Sequence, residues 1–534
     1  MSNRKKVFYN GTVYAGNGEF LKAFSVEDGK IAEVWKDEPE TDGTDADLID
    51  LGGSFVCAGF NDSHMHLLNF GKALDGADLS AHTGSLKDLK DSLRKHLSEK
   101  GLGAGGWLLG RGWNQDYFSD TDRMPDRYDL DEVSDQVPIM ITRTCGHCCV
   151  LNSPAIEAAG ITADSKDPDG GRIGKNGEVP DGRLYENAVG IPAEVIPVPA
   201  LGDIKSLIKN AAGKVNSYGI TSVQTDDYGV FAGLDPLTVN EAYRELIDSG
   251  ELTVRVHEQC NLGGADALKD FIDRGGMACK QDDFFSSGTV KILGDDSLGS
   301  RTARLSVEYP GTDEKGILIF SDDEMREQIC TAASNGKNAV VHAIGDGCLD
   351  QVLDAFEYAR NKYPGERRDG IVHCQVSRED QLKRIADLGL CVYAQSVFLD
   401  YDNHIVEALV PAEIASTSYS WKTLLGLGVN VSNGSDCPVE FPDVLKGIQC
   451  AVTRTSMDGT GPYLPDQAFT VREAIDSFTS ASAYASSEEC IKGSIAPGML
   501  ADFTVLGSDP FSEEPFSLSR IEVKSTWVGG RRVF

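Results

Sequence analysis

The chain has 534 residues, 41% of them hydrophobic, and carries 83 acidic against 50 basic side chains. This length allows a large core and a second domain. The formal net charge of −33 repels phosphate backbones and anionic lipid headgroups, so we expect neither a nucleic-acid partner nor a membrane partner.

The amino-terminal residues lack the pattern of an export signal. The basic residues Lys5 and Lys6 are followed by Val7-Phe8-Tyr9-Asn10-Gly11 instead of a long apolar stretch. The 13 cysteines are odd in number and scattered along the chain. This usage favours reduced thiols, no structural disulfides and a cytoplasmic location.

Both ends of the chain predict β-structure. Residues 1–57 and 490–534 contain short strand patterns, which are Lys6–Tyr9, Thr12–Tyr14, Ala23–Val26, Lys30–Val34, Ala501–Leu506, Ile521–Val523, Ser525–Val528 and Arg531–Phe534. Each end alone is too small to hold a core well. We therefore expect one small β-sandwich built from both termini, with two separate β modules as the less economical alternative.

Residues 58–489 alternate helical patterns with short apolar strands, which is typical of βα units and a parallel sheet. Eight strands are predicted, the first beginning just before this range: Phe55–Phe60, Ser222–Asp226, Val254–Gln259, Val290–Leu293, Ala339–His342, Gly370–Gln375, Cys391–Gln395 and Val429–Ser432. That count predicts a (β/α)8 TIM barrel. Residues 75–210 are too long for one βα connection, and we expect them to form an insertion over the barrel mouth.

Candidate metal ligands lie at the ends of these strands. His64 and His66 are two residues apart, so in an extended segment both imidazoles point to one face. Four further candidates lie on or just after other strands, namely Lys291, His342, His373 and Asp436. Imidazole and carboxylate are ligands that zinc and its neighbours prefer, and barrels of this type carry their chemistry at the carboxyl ends of the strands.

The chain resembles the metal-dependent amidohydrolase superfamily and, within it, the YtcJ-like branch that includes N-substituted formamide deformylases. The resemblance covers nearly the whole chain and rests on six ordered blocks, which are residues 59–66, 106–113, 290–303, 341–346, 434–439 and 496–502. One departure is Asp295-Asp296, where the family has Asp-Gly.

The resemblance implies a ligand set. His64, His66 and Asp436 would bind the more buried metal, while His342 and His373 would bind a second ion. Lys291 would be carboxylated and bridge the two, because a free ammonium cannot ligate a cation. The implied cofactor is a divalent metal, expected to be zinc, with one or two ions bound.

The implied reaction is hydrolysis of an amide-type C–N bond in a small-molecule substrate, an N-formyl or N-acyl amine with an apolar substituent. A metal-activated hydroxide would attack, with Asp436 as general base and then general acid. One alternative is a cyclic amidohydrolase or deaminase on the same scaffold. A third is a catalytically silent barrel that acts as an interaction protein, which the complete ligand set disfavours.

Three residues are candidates for substrate binding, namely His147, Arg301 and Trp113. For His147 a surface or core role is an equal alternative, and for Trp113 the alternative is packing of the inserted segment. Cys145 and Cys148 have CxxC spacing but lack a second ligand pair, which disfavours a structural zinc. A homo-oligomer is compatible with the sequence, which does not determine the oligomeric state.

Overall fold

The computed structural model describes residues 4–40, 45–80, 84–103, 105–143, 147–168, 170–278 and 282–534. Its strands are β1 Lys6–Tyr9, β2 Thr12–Gly16, β3 Glu19–Leu21, β4 Ala23–Glu27, β5 Lys30–Trp35, β6 Asp47–Asp50, β7 Phe55–Ala58, β8 Phe60–Met65, β9 Ala77–Asp78, β10 Leu108–Trp113, β11 Ile139–Arg143, β12 Cys148–Leu151, β13 Gly171–Asn176, β14 Val179–Glu186, β15 Ile220–Thr225, β16 Arg255–Asn261, β17 Phe285–Leu293, β18 Asn338–Ala343, β19 Gly370–His373, β20 Cys391–Ala394, β21 Val431–Asn433, β22 Phe503–Leu506, β23 Val523–Val528 and β24 Arg531–Arg532.

The α-helices are α1 Leu67–Asp75, α2 Leu86–Lys100, α3 Arg127–Asp131, α4 Ser153–Ala158, α5 Leu201–Asn216, α6 Pro236–Asp248, α7 Ala265–Asp273, α8 Asp322–Ser334, α9 Asp346–Lys362, α10 Glu379–Asp387, α11 Leu399–Asp402, α12 Val406–Leu409, α13 Ala412–Ala415, α14 Trp421–Gly426, α15 Val444–Thr453, α16 Val471–Ser477 and α17 Ser480–Ala485. Short 3-10 helices occupy Gln115–Tyr117, Asn187–Glu194, Gly276–Ala278, Ser396–Phe398, Pro465–Gln467 and Pro515–Arg520.

The largest sheet is the predicted barrel. Within the described residues it contains eight strands in the order β8-β15-β16-β17-β18-β19-β20-β21, and every pair is parallel. The seam between its first and last strands is bridged by main-chain hydrogen bonds, from Asp436 N to His64 O at 2.8 Å and from His66 N to Cys437 O at 2.8 Å. The expected (β/α)8 TIM barrel is confirmed.

The first barrel strand differs from its prediction. The apolar run Phe55–Phe60 belongs to two sheets: β7 pairs with β2 and β22, and the barrel strand β8 begins only at Phe60. Gly59 is the point of departure, where its N–H donates to Asp502 O and a Cβ would lie 2.1 Å from Thr221 Oγ1. A continuous apolar run does not reveal such a change of sheet, because both halves are buried.

The two chain ends form the small β-sandwich that the sequence predicts. One sheet has the order β5-β4-β1-β6, and the other, β24-β23-β22-β7-β2-β3, joins strands from both termini. Aromatic rings fill the space between the sheets: the ring of Phe8 lies 4.9 Å from those of Phe24 and Phe503 and 5.1 Å from that of Trp527. Burial of each phenylalanine contributes about 1.5–3 kcal/mol, so neither end holds this core without the other.

The chain divides into two compact units. The first comprises residues 1–67, 211–229 and 236–534, and the second comprises residues 68–210 and 230–235. The second unit contains the sheet β13-β14-β12-β11-β10-β9 and a core around Leu89, Leu108 and Trp113. The predicted insertion at 75–210 falls within its residue range. The domain boundaries at 57 and 490 and the position over the barrel mouth stay predictions.

No helix of the described residues combines the length and the apolar character that a bilayer span requires. In the same part of the chain, none of the eleven cysteines forms a disulfide.

Candidate active site

The six predicted ligands converge at the carboxyl ends of the barrel strands. His64 lies on β8, Lys291 on β17 and His342 on β18, while His373 ends β19. Side-chain contacts connect the six residues into two groups. In the first group, His64 Nε2 lies 2.9 Å from Lys291 Nζ and 3.4 Å from Asp436 Oδ1, and His66 Nε2 lies 3.0 Å from Asp436 Oδ1. In the second group, His342 Nδ1 lies 3.0 Å from His373 Nε2. The rings of His64 and His373 are 5.9 Å apart, which joins the two groups into one cluster.

The backbone after β21 brings Asp436 next to His64. Asp436 lies three residues past β21 and is held by its main-chain bond to His64. Gly434 makes this approach feasible, since a Cβ there would lie 2.6 Å from His64 N. Asp436 and His373 adopt left-handed φ values of 57° and 76°, a conformation that costs a non-glycine residue free energy and that occurs preferentially at functional sites.

Two buried glutamines orient the imidazoles of His64 and His373. Gln259 Oε1 lies 2.7 Å from His64 Nδ1, and its amide nitrogen donates to Ser63 O. Gln395 Oε1 lies 2.7 Å from His373 Nδ1, and its amide nitrogen donates to Tyr393 O. Because each amide nitrogen is already a donor, each Oε1 must accept from Nδ1–H, which leaves a lone pair on Nε2 of both histidines.

The other two histidines are oriented by acceptors as well. His66 Nδ1 lies 3.1 Å from the main-chain oxygen of Asp226. His342 Nε2 lies 3.4 Å from both Asp295 Oδ1 and Asp296 O. Only the protonated nitrogen fits beside these oxygens, so Nε2 of His66 and Nδ1 of His342 are the ring nitrogens that face the cluster, and the neutral ring of His342 carries its lone pair there.

These orientations fit a cation. His342 Nδ1 and His373 Nε2 face each other as two lone pairs at 3.0 Å, an arrangement that is repulsive until a positive ion or a proton lies between or beside them. Burial lowers the pKa values of His64 and His342 well below the usual range, and that of His373 to about 4. All three are therefore neutral at pH 7, the form that binds metals.

His66 and Asp436 hold the remaining position by an ion pair. Burial disfavours a charged imidazole, but the hydrogen bond and charge of Asp436 outweigh it and raise the pKa of His66 to about 9. Burial also disfavours the carboxylate, yet the contacts with His66, His373 and His64 hold the pKa of Asp436 well below its usual range. The donor atoms of His64, His66 and Asp436 lie within 4.8 Å of one another, so a metal ion can replace the proton of His66.

Lys291 is a buried amine inside this cluster, with 2% of its surface exposed. Burial lowers its pKa to about 8, although the charges of Asp226 and Asp436 act in the opposite direction. About a tenth of the Lys291 side chains are then uncharged and nucleophilic at pH 7, far more than for a lysine in water.

The sequence did not single out several polar residues that support the ligands. They are Gln259, Gln395, Asp226 and Asn261, which lie at or near strand ends, and Asp62, which lies within β8. Their positions are a usable signal, since barrel chemistry collects at these ends. Their residue types are not, because a glutamine or an asparagine serves many structural roles.

Asp295, the residue of the Asp295-Asp296 pair that the family pattern shares, has a structural role at the site. The buried Asp295 carboxylate accepts hydrogen bonds from Ile344 N, Gly345 N and Arg304 N at 2.8–3.0 Å, and it also faces His342 Nε2. It therefore ties the segment after β18 to the segment after β17. Outer carboxylates of this kind fix the orientation of a metal-binding histidine.

The three predicted substrate-binding residues do not all belong to the unit that contains the candidate ligands. Arg301 is exposed in the first unit and has a left-handed φ of 61°. Trp113 is fully buried in the core of the second unit, and His147 is exposed there with its Nδ1 2.9 Å from Glu186 Oε2. Their substrate roles stay predictions. Cys145, half of the CxxC pair, lies outside the described residues.

The comparisons with known proteins agree with this architecture. A model of the amidohydrolase family matches residues 47–534. YtcJ of Bacillus subtilis (strain 168) is 32% identical over 99% of this chain and 99% of its own length. The N-substituted formamide deformylase of Arthrobacter pascens is 27% identical over 95% of this chain and 94% of its own. The crystal structure of an uncharacterized metal-dependent hydrolase from Pyrococcus horikoshii has a TM-score of 0.80 at 27% identity, and covers 96% of this chain and 99% of that chain.

A parallel eight-stranded barrel with a metal-binding cluster at its strand ends defines a class of metal-dependent hydrolases. The chain belongs to the amidohydrolase family, and its resemblance to the YtcJ-like branch is confirmed. It is accordingly a hydrolase that depends on a divalent metal and acts on carbon–nitrogen bonds other than peptide bonds in small-molecule substrates.

Proposed function

We propose that this enzyme hydrolyses the amide-type C–N bond of an N-formyl or N-acyl amine that carries an apolar substituent. The observation that carries the proposal is the convergence of four imidazoles and one carboxylate, each with a potential ligand atom directed inward. The near full-length similarity to an N-substituted formamide deformylase supports a linear amide over a ring.

We propose zinc as the native metal, in one or two ions. His64, His66 and Asp436 would hold one ion, and His342 and His373 the other, since neutral imidazole and carboxylate suit zinc. A divalent metal in this position would activate water for attack and polarise the scissile carbonyl.

The role proposed for Lys291 is that of a carbamate bridge. The neutral Nζ would attack carbon dioxide, forming an N–C bond and releasing one proton to solvent, which turns a neutral amine into an anionic carbamate. This change suits the surroundings, because Nζ lies 2.9 Å from His64 Nε2, and the anion would offset the charge of the metals. The pKa of about 8 for Lys291 supports this chemistry by making the neutral amine available.

The proton transfers are assigned to Asp436. Its carboxylate would take a proton from the attacking water as the new C–O bond forms. The same proton would then pass to the departing nitrogen as the C–N bond breaks. The main-chain hydrogen bond from Asp436 N to His64 O holds this residue in place for both steps.

Asp226 and Asn261 are proposed to bind the N–H of the substrate. Asn261 Nδ2 donates to Asp226 Oδ2 at 3.1 Å, and among the described residues no donor bonds to Asp226 Oδ1 or to Asn261 Oδ1. The main chain of Asp226 is joined to β8, with its N–H donating to Met65 O and its carbonyl accepting from His66. Two acceptor oxygens beside the ligands suit a secondary amide and its amine product.

The first experiment is elemental analysis of metal per chain in wild type and in Lys291→Ala, both prepared with zinc and bicarbonate. About two equivalents in wild type and fewer in Lys291→Ala are expected. Lys337→Ala is the matched control, because Lys337 is a half-buried lysine that donates to Met277 O. One equivalent in all three proteins would remove the bridge from the proposal, and no metal in any would refute the mechanism.

The second experiment identifies the substrate class. N-formyl and N-acyl derivatives of benzylamine and hexylamine are assayed for release of amine and carboxylate, beside hydantoins and aminated purines. Turnover of the linear amides is expected. Turnover of only the ring compounds would favour the cyclic amidohydrolase or deaminase alternative.

A cytoplasmic location is proposed as well. The absence of disulfides among the eleven cysteines of the described residues supports a reducing compartment.

A further inference from the structure

Arg454 is a buried arginine whose hydrogen-bonding capacity is mostly unused. It follows α15 directly and is 1% exposed. Its Nε donates to Tyr463 O at 2.9 Å, whereas Nη2 is buried without a partner among the described residues. A guanidinium presents five N–H donors, and leaving buried donors unpaired costs about 1–3 kcal/mol each.

The positive charge of Arg454 also lacks a counter-charge. Burial lowers its pKa to about 10, so the group stays charged at neutral pH. Within the described residues no carboxylate pairs with it, and the neighbours that favour its charge are Tyr463, Tyr419 and Cys450. Arg255, the other buried arginine of the described residues, is held by Asp502 at 2.5 Å. The chain thus neutralises one buried arginine and leaves the other unbalanced.

The surroundings of Arg454 stabilise a cation only in part. Its Cζ lies 5.9 Å from the ring centroids of both Trp421 and Tyr463, which contributes a cation–π attraction. Its position at the carboxyl end of α15 adds the partial negative charge of the helix. Neither effect supplies an acceptor for the N–H groups at Nη2.

We propose that Arg454 forms a buried binding site for a small monovalent anion, with chloride or a small carboxylate as the class of ligand. The forked N–H donors of a guanidinium suit such ions, and an anion would supply both the missing acceptor and the missing charge. The site is linked to the metal cluster, because Trp421, against which Arg454 packs, donates from Nε1 to His373 O at 3.0 Å.

The test is thermal unfolding of the full chain in sodium chloride and in sodium gluconate at matched ionic strength. Wild type is expected to gain about 2 °C or more in Tm in chloride, with saturation as the site fills. Arg454→Met should show no chloride-specific gain. Arg520→Met, which removes an exposed arginine, should behave as wild type. Identical responses to the two salts in wild type would exclude chloride, and no gain in sodium formate at the same ionic strength either would overturn the proposal.

Crystals of wild-type protein soaked in sodium bromide give a readout that does not depend on a variant folding. An anomalous peak within hydrogen-bond distance of Arg454 Nη1 or Nη2 is expected. A competing soak in sodium formate distinguishes the two ligand types, since loss of the peak would assign the site to carboxylates and its persistence to halides. Water at Arg454 in both the bromide soak and the formate soak would refute the site.

Discussion

Replacement of Gln395 by leucine tests whether the tautomer of His373 is set by its outer partner. The two side chains have similar volumes, so the substitution removes one acceptor without opening a large cavity. His373 Nδ1 would lose its contact with Gln395 Oε1 at 2.7 Å, and the imidazole is fully enclosed there. The ring would then be free to hold its proton on either nitrogen.

The expected loss follows from this one contact. A buried N–H left without a partner costs about 1–3 kcal/mol, and outer-partner mutations lower metal affinity by about 10- to 100-fold. Gln395→Leu should therefore bind zinc about 10- to 100-fold more weakly than wild type. The apo protein should lose stability by about 1–3 kcal/mol, since the unpaired donor is present without metal.

The assay is competition for zinc with a chromophoric chelator, beside urea unfolding of the apo protein. Gln224→Leu is the matched control, because Gln224 is also a fully buried barrel glutamine, and its amide nitrogen donates to Ser482 O instead of accompanying a proposed metal ligand. If Gln395→Leu and Gln224→Leu bind zinc with the same affinity as wild type, the tautomer argument is wrong.

Two further substitutions have expected outcomes. Gly434→Ala should lower zinc affinity at least about 10-fold, because the new Cβ would lie 2.6 Å from His64 N. Gly426→Ala is the control, because no atom lies within 4 Å of a Cβ there, and it should leave zinc affinity unchanged in the same chelator assay. Burial lowers the pKa of His257 to about 4, so between pH 6.5 and 4 the unfolded chain binds a proton that the folded chain does not. The free energy of unfolding of wild type should therefore fall by up to about 3 kcal/mol over this pH range. His257→Gln should flatten that part of the pH profile in urea unfolding, and an unchanged slope would contradict the assignment.

Local pattern was sufficient for the fold and for the ligand types. Strand and helix periodicity depend on neighbouring residues, so eight barrel strands and the terminal β-strands were predictable from the sequence. The spacing of His64 and His66 likewise places both on one face of an extended segment. The other proposed ligands could be nominated because each lies on or just after a short apolar strand.

The supporting contacts were not predictable, because they join residues far apart in the chain. His66 and Asp436 are separated by 370 residues, and His64 and Gln259 by 195. Only the closed barrel determines which glutamine faces which imidazole, and therefore which nitrogen carries the proton. The wrong prediction of the first barrel strand has the same cause. The change of sheet at Gly59 depends on a hydrogen bond to Asp502, a residue near the other end of the chain.

The sequence by itself determined the barrel and the two-ended sandwich and nominated the proposed metal ligands, since these depend on residue type and local periodicity. Tertiary structure alone decided the direction of each lone pair, the seam that carries Asp436 to His64, and the unbalanced charge of Arg454. Those properties depend on distances between side chains and on exclusion from water, which arise only when the chain is folded.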